Sequence, residues 1–190
     1  MDALIQQAFD QNILDPEYHN PRFVNCLPEF VETANISMPF ALCRLSDYCS
    51  EDEIEYVRLI PQHIAHAQAG MVYVGTPGDE VPVMQRMMAI AGACLRNFID
   101  ARVFTSKEVI NLSKKGGVDA QVLCIPYFYG SKKDSYLSPW EVADLHSVLI
   151  SRHGTGQLTI LSVADLDSLE MSMGEAVAYH VRTNFHQVKV

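Results

Sequence analysis

Met71-Val-Tyr-Val-Gly75-Thr-Pro-Gly78-Asp-Glu-Val-Pro82 is a short apolar strand that runs into two closely spaced glycines and then a proline. A long helical pattern follows, with Met84, Met87, Met88, Ala91, Cys94, Leu95 and Phe98 on one broad face. The same unit recurs downstream. Arg102–Phe104 reads as a strand, and Thr105-Ser-Lys-Glu108 is a capping box that opens a helix. Gln121–Ile125 is a third strand. Ser138-Pro-Trp-Glu141 is a second capping box with proline at the first helical position, and its helix turns Val142, Leu145, Val148 and Leu149 inward. Leu158–Val163 is a fourth strand, with short helices near Asp165–Glu170 and Gly174–Arg182 and a last strand at His186–Val190. Upstream, Ser50-Glu-Asp-Glu53 caps a helix that should reach about Ala69, kinked at Pro61. Short apolar strands alternating with amphipathic helices imply βαβ crossovers, hence an α/β fold of three αβα layers around a mainly parallel sheet. Ligands of such sheets bind beyond the carboxyl ends of the strands.

Working outward, residues 1–43 differ from the rest. Leu4, Ile5, Ala8 and Phe9 have helical spacing, and then Pro16, Pro21, Pro28 and Pro39 interrupt the chain. The expectation is an N-terminal helix and irregular arm, followed by a core domain over 44–190. The whole is 190 residues, 48% hydrophobic and 19% charged, which is one ordinary globular domain and neither a disordered chain nor one that needs disulfides to fold. Charged residues interrupt every apolar run before the ~18 residues of a membrane span. The N-terminus lacks the basic start and apolar core of a signal peptide, so a cytoplasmic location is expected. Five cysteines without a C-x-x-C pattern read as reduced, mostly buried side chains.

The turn after the first strand has the context of a phosphate-binding loop, Gly-x-x-x-x-Gly-Lys-Ser/Thr. Gly75, Thr76, Pro77 and Gly78 fit its opening half. The second half is lost: Glu80 stands at the last Gly, Val81 at the Lys and Pro82 at the hydroxyl. Asp79 and Glu80 add negative charge where a triphosphate would bring more, and like charges ~4 Å apart repel by about 4 kcal/mol at an effective dielectric near 20.

From about Arg44 to the end the chain resembles the AAA+ helicase loaders of the DnaC and DnaI kind and their IstB-like transposition relatives. The resemblance is carried, in order, by Gly70 to Gly78, by Val103-Phe-Thr-Ser-Lys-Glu-Val-Ile110, by Gln121–Ile125 at the Walker B strand, by Arg152-His-Gly-Thr-Gly-Gln-Leu-Thr-Ile-Leu161 leading through the sensor-1 strand, and by Gly174-Glu-Ala-Val177 at the sensor-2 helix. It implies a RecA/AAA+-like sheet. The chain departs from the family where the chemistry sits. Pro126-Tyr127 replace the Walker B acids, Ala164 the sensor-1 Asn, and Ala176 and His180 the sensor-2 positions. No residue is therefore assigned a catalytic role, and neither ATP nor magnesium is expected to bind.

The resemblance implies a DNA-replication accessory protein, of phage or mobile-element type, that binds a replicative helicase or another replication protein. Leu4, Ile5 and Phe9 would contact the partner, with Arg152 and Arg182 at a subunit or partner boundary, and a homo-oligomer fits the same picture. Two alternatives stand beside it: an active ATPase of unorthodox site completed in trans by Arg152 or Arg182, and a transposition or recombination accessory protein. A formal charge of -9 argues against a dedicated duplex binder. Two basic loops leave room for weak contact with single-stranded DNA, through Lys114, Lys115, Lys132 and Lys133 interleaved with Tyr127 and Phe128. His63 and His66 form a helical pair that no Cys or carboxylate completes, so no metal site is expected and solvated histidines are the simpler reading. Ser151, His153 and Asp165 lack the G-x-S-x-G elbow of a hydrolase.

Overall fold

Strand residues alternate between two faces, and in this chain both faces are apolar, so each strand must be covered on both sides. The computed structural model describes residues 3–75, 81–128 and 137–190. Strands β1 (Gly70–Val74), β2 (Ala101–Val103), β3 (Val122–Ile125), β4 (Leu158–Val163) and β5 (Phe185–Lys189) form one sheet in the order β2-β3-β4-β1-β5, with every pairing parallel. On one face Met71, Tyr73, Val122, Cys124, Leu158 and Ile160 pack against α4 (Glu51–Arg58), α5 (Ile60–Ala65) and α6 (Val83–Arg96). On the other, Val72, Leu123, Ile125, Leu161 and Val163 pack against α7 (Ser106–Ser113), α8 (Pro139–Gly154), α9 (Leu166–Met173) and α10 (Glu175–Asn184). These are the three expected layers.

All three capping boxes form. Ser50, Thr105 and Ser138 each accept from the amide three residues on, and Glu53, Glu108 and Glu141 return to the cap amide. The helix expected to run from Ser50 to Ala69 is two helices, because Pro61 has no amide to continue α4 and instead opens α5. The helix expected to carry Phe98 stops at Arg96. Phe98 donates to Leu95 and Ile99 to Cys94, a Schellman closure that leaves Phe98 at φ +59° and 63% exposed.

The N-terminal segment corrects the expectation of an irregular arm. After α1 (Ala3–Asp10), α2 (Pro21–Thr33) starts at Pro21, where no amide is required, and Asn20 accepts from the amides of Arg22 and Phe23. Pro28 lies inside α2, and the cost of its missing hydrogen bond is outweighed by the Phe23, Leu27, Val31 stripe. With Ile5, Ala8, Leu14 and Leu42 this stripe makes a third apolar cluster. Helix α3 (Met38–Ala41) then lies so close to α6 that a Cβ on Gly92 would come within 2.2 Å of the Phe40 carbonyl oxygen. His19 fastens the segment from the other side. Its Nε2 donates to the Arg96 carbonyl at 2.8 Å, and its Nδ1 accepts from the Asp15 amide. Of the side chains expected to face a partner, Ile5 is therefore buried and Phe9 half-buried in this cluster, while Leu4 is 43% exposed.

Candidate functional site

The loop opening is set by its neighbours. Gly75, at φ +136°, donates to the Val163 carbonyl at 3.0 Å, and Val190 donates to the Val74 carbonyl. A Cβ on Gly75 would sit 2.1 Å from the Val190 carbonyl oxygen, so only glycine fits. Thr76, Pro77 and Gly78, expected to shape the rest of the loop, lie outside the described residues. Where the chain re-enters, Pro82 is the N-cap of α6 and offers no side-chain acceptor. Val83 follows with its side chain fully buried in the core.

Arg86 is the cation that α6 contributes one turn later, and it faces inward. Its Nε donates to the Val81 carbonyl, and its Nη1 donates to Glu53 Oε2 at 2.7 Å. Glu53 is fully buried and also accepts from the Tyr73 hydroxyl at 2.6 Å and from the Ser50 amide at 2.7 Å. Desolvation and the adjacent Glu53 charge push the Tyr73 hydroxyl well above its usual range. In the sequence Glu53 reads only as half of a capping box; the same carboxylate ties α4, β1 and α6 together beneath the loop.

Beyond the end of β3, where the resemblance expects the Walker B acids, the chain makes a turn. Tyr127 adopts φ +54°, its amide donates to Ser162 Oγ at 3.2 Å, and the Phe128 amide donates to the Ser162 carbonyl at 3.0 Å. The Phe128 carbonyl in turn accepts from Ser106 Oγ. Phe128 is 1% exposed, which corrects its expected role in stacking a base, whereas Tyr127 remains half exposed. Lys114 and Lys115 are exposed, but they follow α7 and precede β3, so the length of that strand separates them from Tyr127. Lys114 lies 3.9 Å from Asp144. Lys132 and Lys133 lie outside the described residues. The four lysines are thus not shown as one patch.

Beyond β4, Ala164 is exposed and Asp165 caps α9, accepting from the Ser168 amide and hydroxyl at 2.6 Å. Those bonds hold its carboxyl below the usual range. Ser168, not His153, is its partner, which removes the hydrolase arrangement. Both arginines expected at a boundary are engaged within the chain. Arg152 is 3% exposed, and its guanidinium donates to Thr159 Oγ1, Gln157 Oε1 and the carbonyls of Val118, Ala120 and Leu158. Burial lowers it to about 10, still charged at neutral pH. Arg182 is held by Glu170, Asp167 and the Leu166 carbonyl, and these partners raise its pKa.

The histidines are not simply solvated. His63 stacks on Tyr56 with ring centroids 4.3 Å apart, and His186 stacks on the same tyrosine. His180, at the sensor-2 position, is buried against His153 and Phe185, and desolvation followed by His153 and His146 lowers its pKa. Among the described residues, no group of three or more His, Cys, Asp and Glu side chains is arranged to hold a metal ion, and no helix is long and apolar enough to cross a membrane. Cys49, Cys94 and Cys124 are buried, and burial raises their thiols, that of Cys94 to about 12.

No family model and no curated protein matches the sequence. Solved structures share the fold. The chain is similar to the DnaC helicase loader at 18% identity and a TM-score of 0.54, over 81% of this chain and 99% of that one. DnaI aligns at 13% identity and a TM-score of 0.53, over 81% and 94%. DnaA from Aquifex aeolicus, solved with AMPPCP bound, aligns at 7% identity and a TM-score of 0.57, over 77% of this chain. The chain spans about half the length of that DnaA structure. The chain shares with these structures its αβα fold around an all-parallel sheet.

Proposed function

We propose that this chain is a replication accessory protein that works by binding a replicative helicase or another replication protein, without using ATP. The observation that carries the reading is the engagement of the carboxyl edge of the sheet in internal contacts. Val83 is in the core, Tyr127 and Phe128 are fastened to Ser162, Asp165 caps α9, and Arg182 is bonded to Asp167 and the Leu166 carbonyl at the start of α9, while Arg152 is bonded within the chain at the opposite, amino edge. A nucleotide triphosphate needs a cation and a magnesium ligand here. The side chains that the family resemblance places at those points are Val81, Pro82 and Pro126-Tyr127. The fold shared with the DnaC helicase loader, with DnaI and with DnaA supports the setting. Single-strand contact, in this reading, is weak and confined to the Tyr127 end of β3, with a steep salt dependence.

The test is calorimetric titration of the purified protein with ATP and magnesium, alongside a phosphate-release assay. No heat at millimolar nucleotide and no turnover are expected. Micromolar binding with turnover would overturn the reading and promote an unorthodox ATPase.

A further inference from the structure

Three departures from ordinary helix chemistry lie in or beside one groove. The first is Phe98, an aromatic residue at the left-handed position of a Schellman closure, where glycine or asparagine is the comfortable choice. The second is exposure of aromatic surface. Phe98 is 63% and Phe30 39% exposed, although both rings touch Phe23, at centroid distances of 5.3 and 6.0 Å. The third is charge. Glu29 and Glu32 lie three residues apart near the carboxyl end of α2, which has no basic residue in its last turn. Both the helix dipole and their mutual repulsion disfavour that placement, and neither acid has an ion pair among the described residues.

The groove lies between α2 and the α6–β2 turn, with a volume of about 380 Å³, and its wall includes Phe23, Phe30, Leu95, Phe98 and Ile99, with Glu29 on the rim. Asp100 and Arg102 also border it, but they neutralise each other through bonds of 3.2 and 2.9 Å. The net free charge at the rim is therefore acidic, in a chain of formal charge -9. Places where a sequence departs from its own local rules are the places to look for function.

We infer that this groove is a docking site for a basic amphipathic helix of a partner protein. Its apolar side would seat against Phe98 and Phe30, and lysine or arginine would meet Glu29 in the groove, with Glu32 beyond the lining on the next turn of α2, the helix-in-groove mode of recognition. Charge complementarity selects this occupant: an acidic helix or a nucleic-acid phosphate backbone would be repelled by Glu29 in the groove and by Glu32 three residues along the same helix. The inference deepens the protein-binding reading above by giving it a surface, and its test does not depend on the nucleotide experiment.

The probe is a fluorescein-labelled 14-residue helical peptide of leucine and lysine, titrated by anisotropy at 50 and 300 mM salt. A leucine and glutamate peptide of the same pattern is the control. Binding of the basic peptide alone is expected, weaker at high salt. It should weaken at least tenfold in Glu29→Lys/Glu32→Lys, whose side chains are exposed and whose exchange leaves the core untouched. Phe98→Gly should weaken binding similarly. Glycine suits the positive φ, so its melting temperature should stay within a few degrees of the parent. Equal binding of both peptides, no binding of the basic peptide, or binding unchanged in both variants would overturn the groove. Each of those failures would leave the absence of ATP chemistry standing on its own titration.

Discussion

Replacing Arg152 by methionine separates an internal tie from a boundary arginine. The guanidinium sits under α8, where its nitrogens reach three backbone carbonyls, Val118 and Ala120 at 3.0 Å and Leu158 at 2.7 Å, and two side-chain oxygens. It joins the end of α8 to the starts of β3 and β4. Two opposing effects set the outcome. Burial lowers the group to about 10, so holding the charge there costs about 3 kcal/mol, which methionine would recover. Against that, methionine leaves three carbonyls without donors, at roughly 1–3 kcal/mol each. It also removes two bonds to Thr159 and Gln157, each worth roughly 1.5–3 kcal/mol when the donor is charged. The second effect wins even at the low end of those ranges, about 6 kcal/mol against about 3, so the net loss is at least about 3 kcal/mol. In a chain of this size that is a fall of about 10 °C in Tm. Arg152→Lys should lie between, since one ammonium cannot reach all five acceptors. Thermal melting by circular dichroism, with urea denaturation, reads the result. A variant that melts within about 2 °C of the parent would refute the buried tie, and would return Arg152 to the list of groups available to a neighbouring subunit.

Arg86→Met should destabilise by about 3–5 kcal/mol, because Glu53 is fully buried and would keep uncharged partners such as Tyr73 and the Ser50 amide but lose its cation. The double variant Glu53→Gln/Arg86→Met should recover part of that loss, and urea unfolding of the set checks the ordering. His180 gives a pH dependence. Desolvation, His153 and His146 hold its folded pKa below 6.5, so the unfolded chain takes up the proton first. Its contribution is fully present above pH 6.5 and is lost as pH falls from there through the lowered folded value. Urea midpoints between pH 7.5 and 5 should decline, and His180→Leu should flatten that slope. An unchanged slope would show that His63, lowered by desolvation and by His186, or another group dominates the window.

Much of the sheet was legible because its signals are local. Capping boxes at Ser50, Thr105 and Ser138 announce helix starts, and four-to-six-residue apolar runs announce strands. Helix α2 was equally local but masked by prolines. Asn20 before Pro21, and Phe23, Leu27 and Val31 at helical spacing, were the signal, and the count of prolines hid it. What could not be read depends on distant chain segments. Arg152 looks like a surface cation because backbone carbonyls, its main acceptors, leave no mark in the sequence. Phe98 looks like the last residue of an apolar helix face until the Schellman turn places it outside. Lys114 and Tyr127 look adjacent because a four-residue strand is short in sequence, yet the strand puts them at its two ends.

Gly75 illustrates how a glycine at the opening of such a loop can be required by packing alone. In a phosphate-binding loop the opening glycine lets the backbone approach an anion. Here its demand comes from the protein: Val163 accepts its amide, and the Val190 carbonyl leaves no room for a Cβ. That requirement arises from packing β1 between β4 and β5 and holds whether or not anything binds above it. Gly75 therefore carries little information about phosphate. The informative positions are those that packing leaves freer to vary, and the chain places apolar or imino groups there. Pro82 removes an amide at the helix start, Val83 commits its side chain to the core, and Arg86 turns its charge down onto Glu53 rather than up toward the loop. A fold under selection for nucleotide chemistry needs its charge to face the ligand. A fold that serves by its shape, as proposed above, can bury it, and the Arg86–Glu53 pair ties α4, β1 and α6 together beneath the loop.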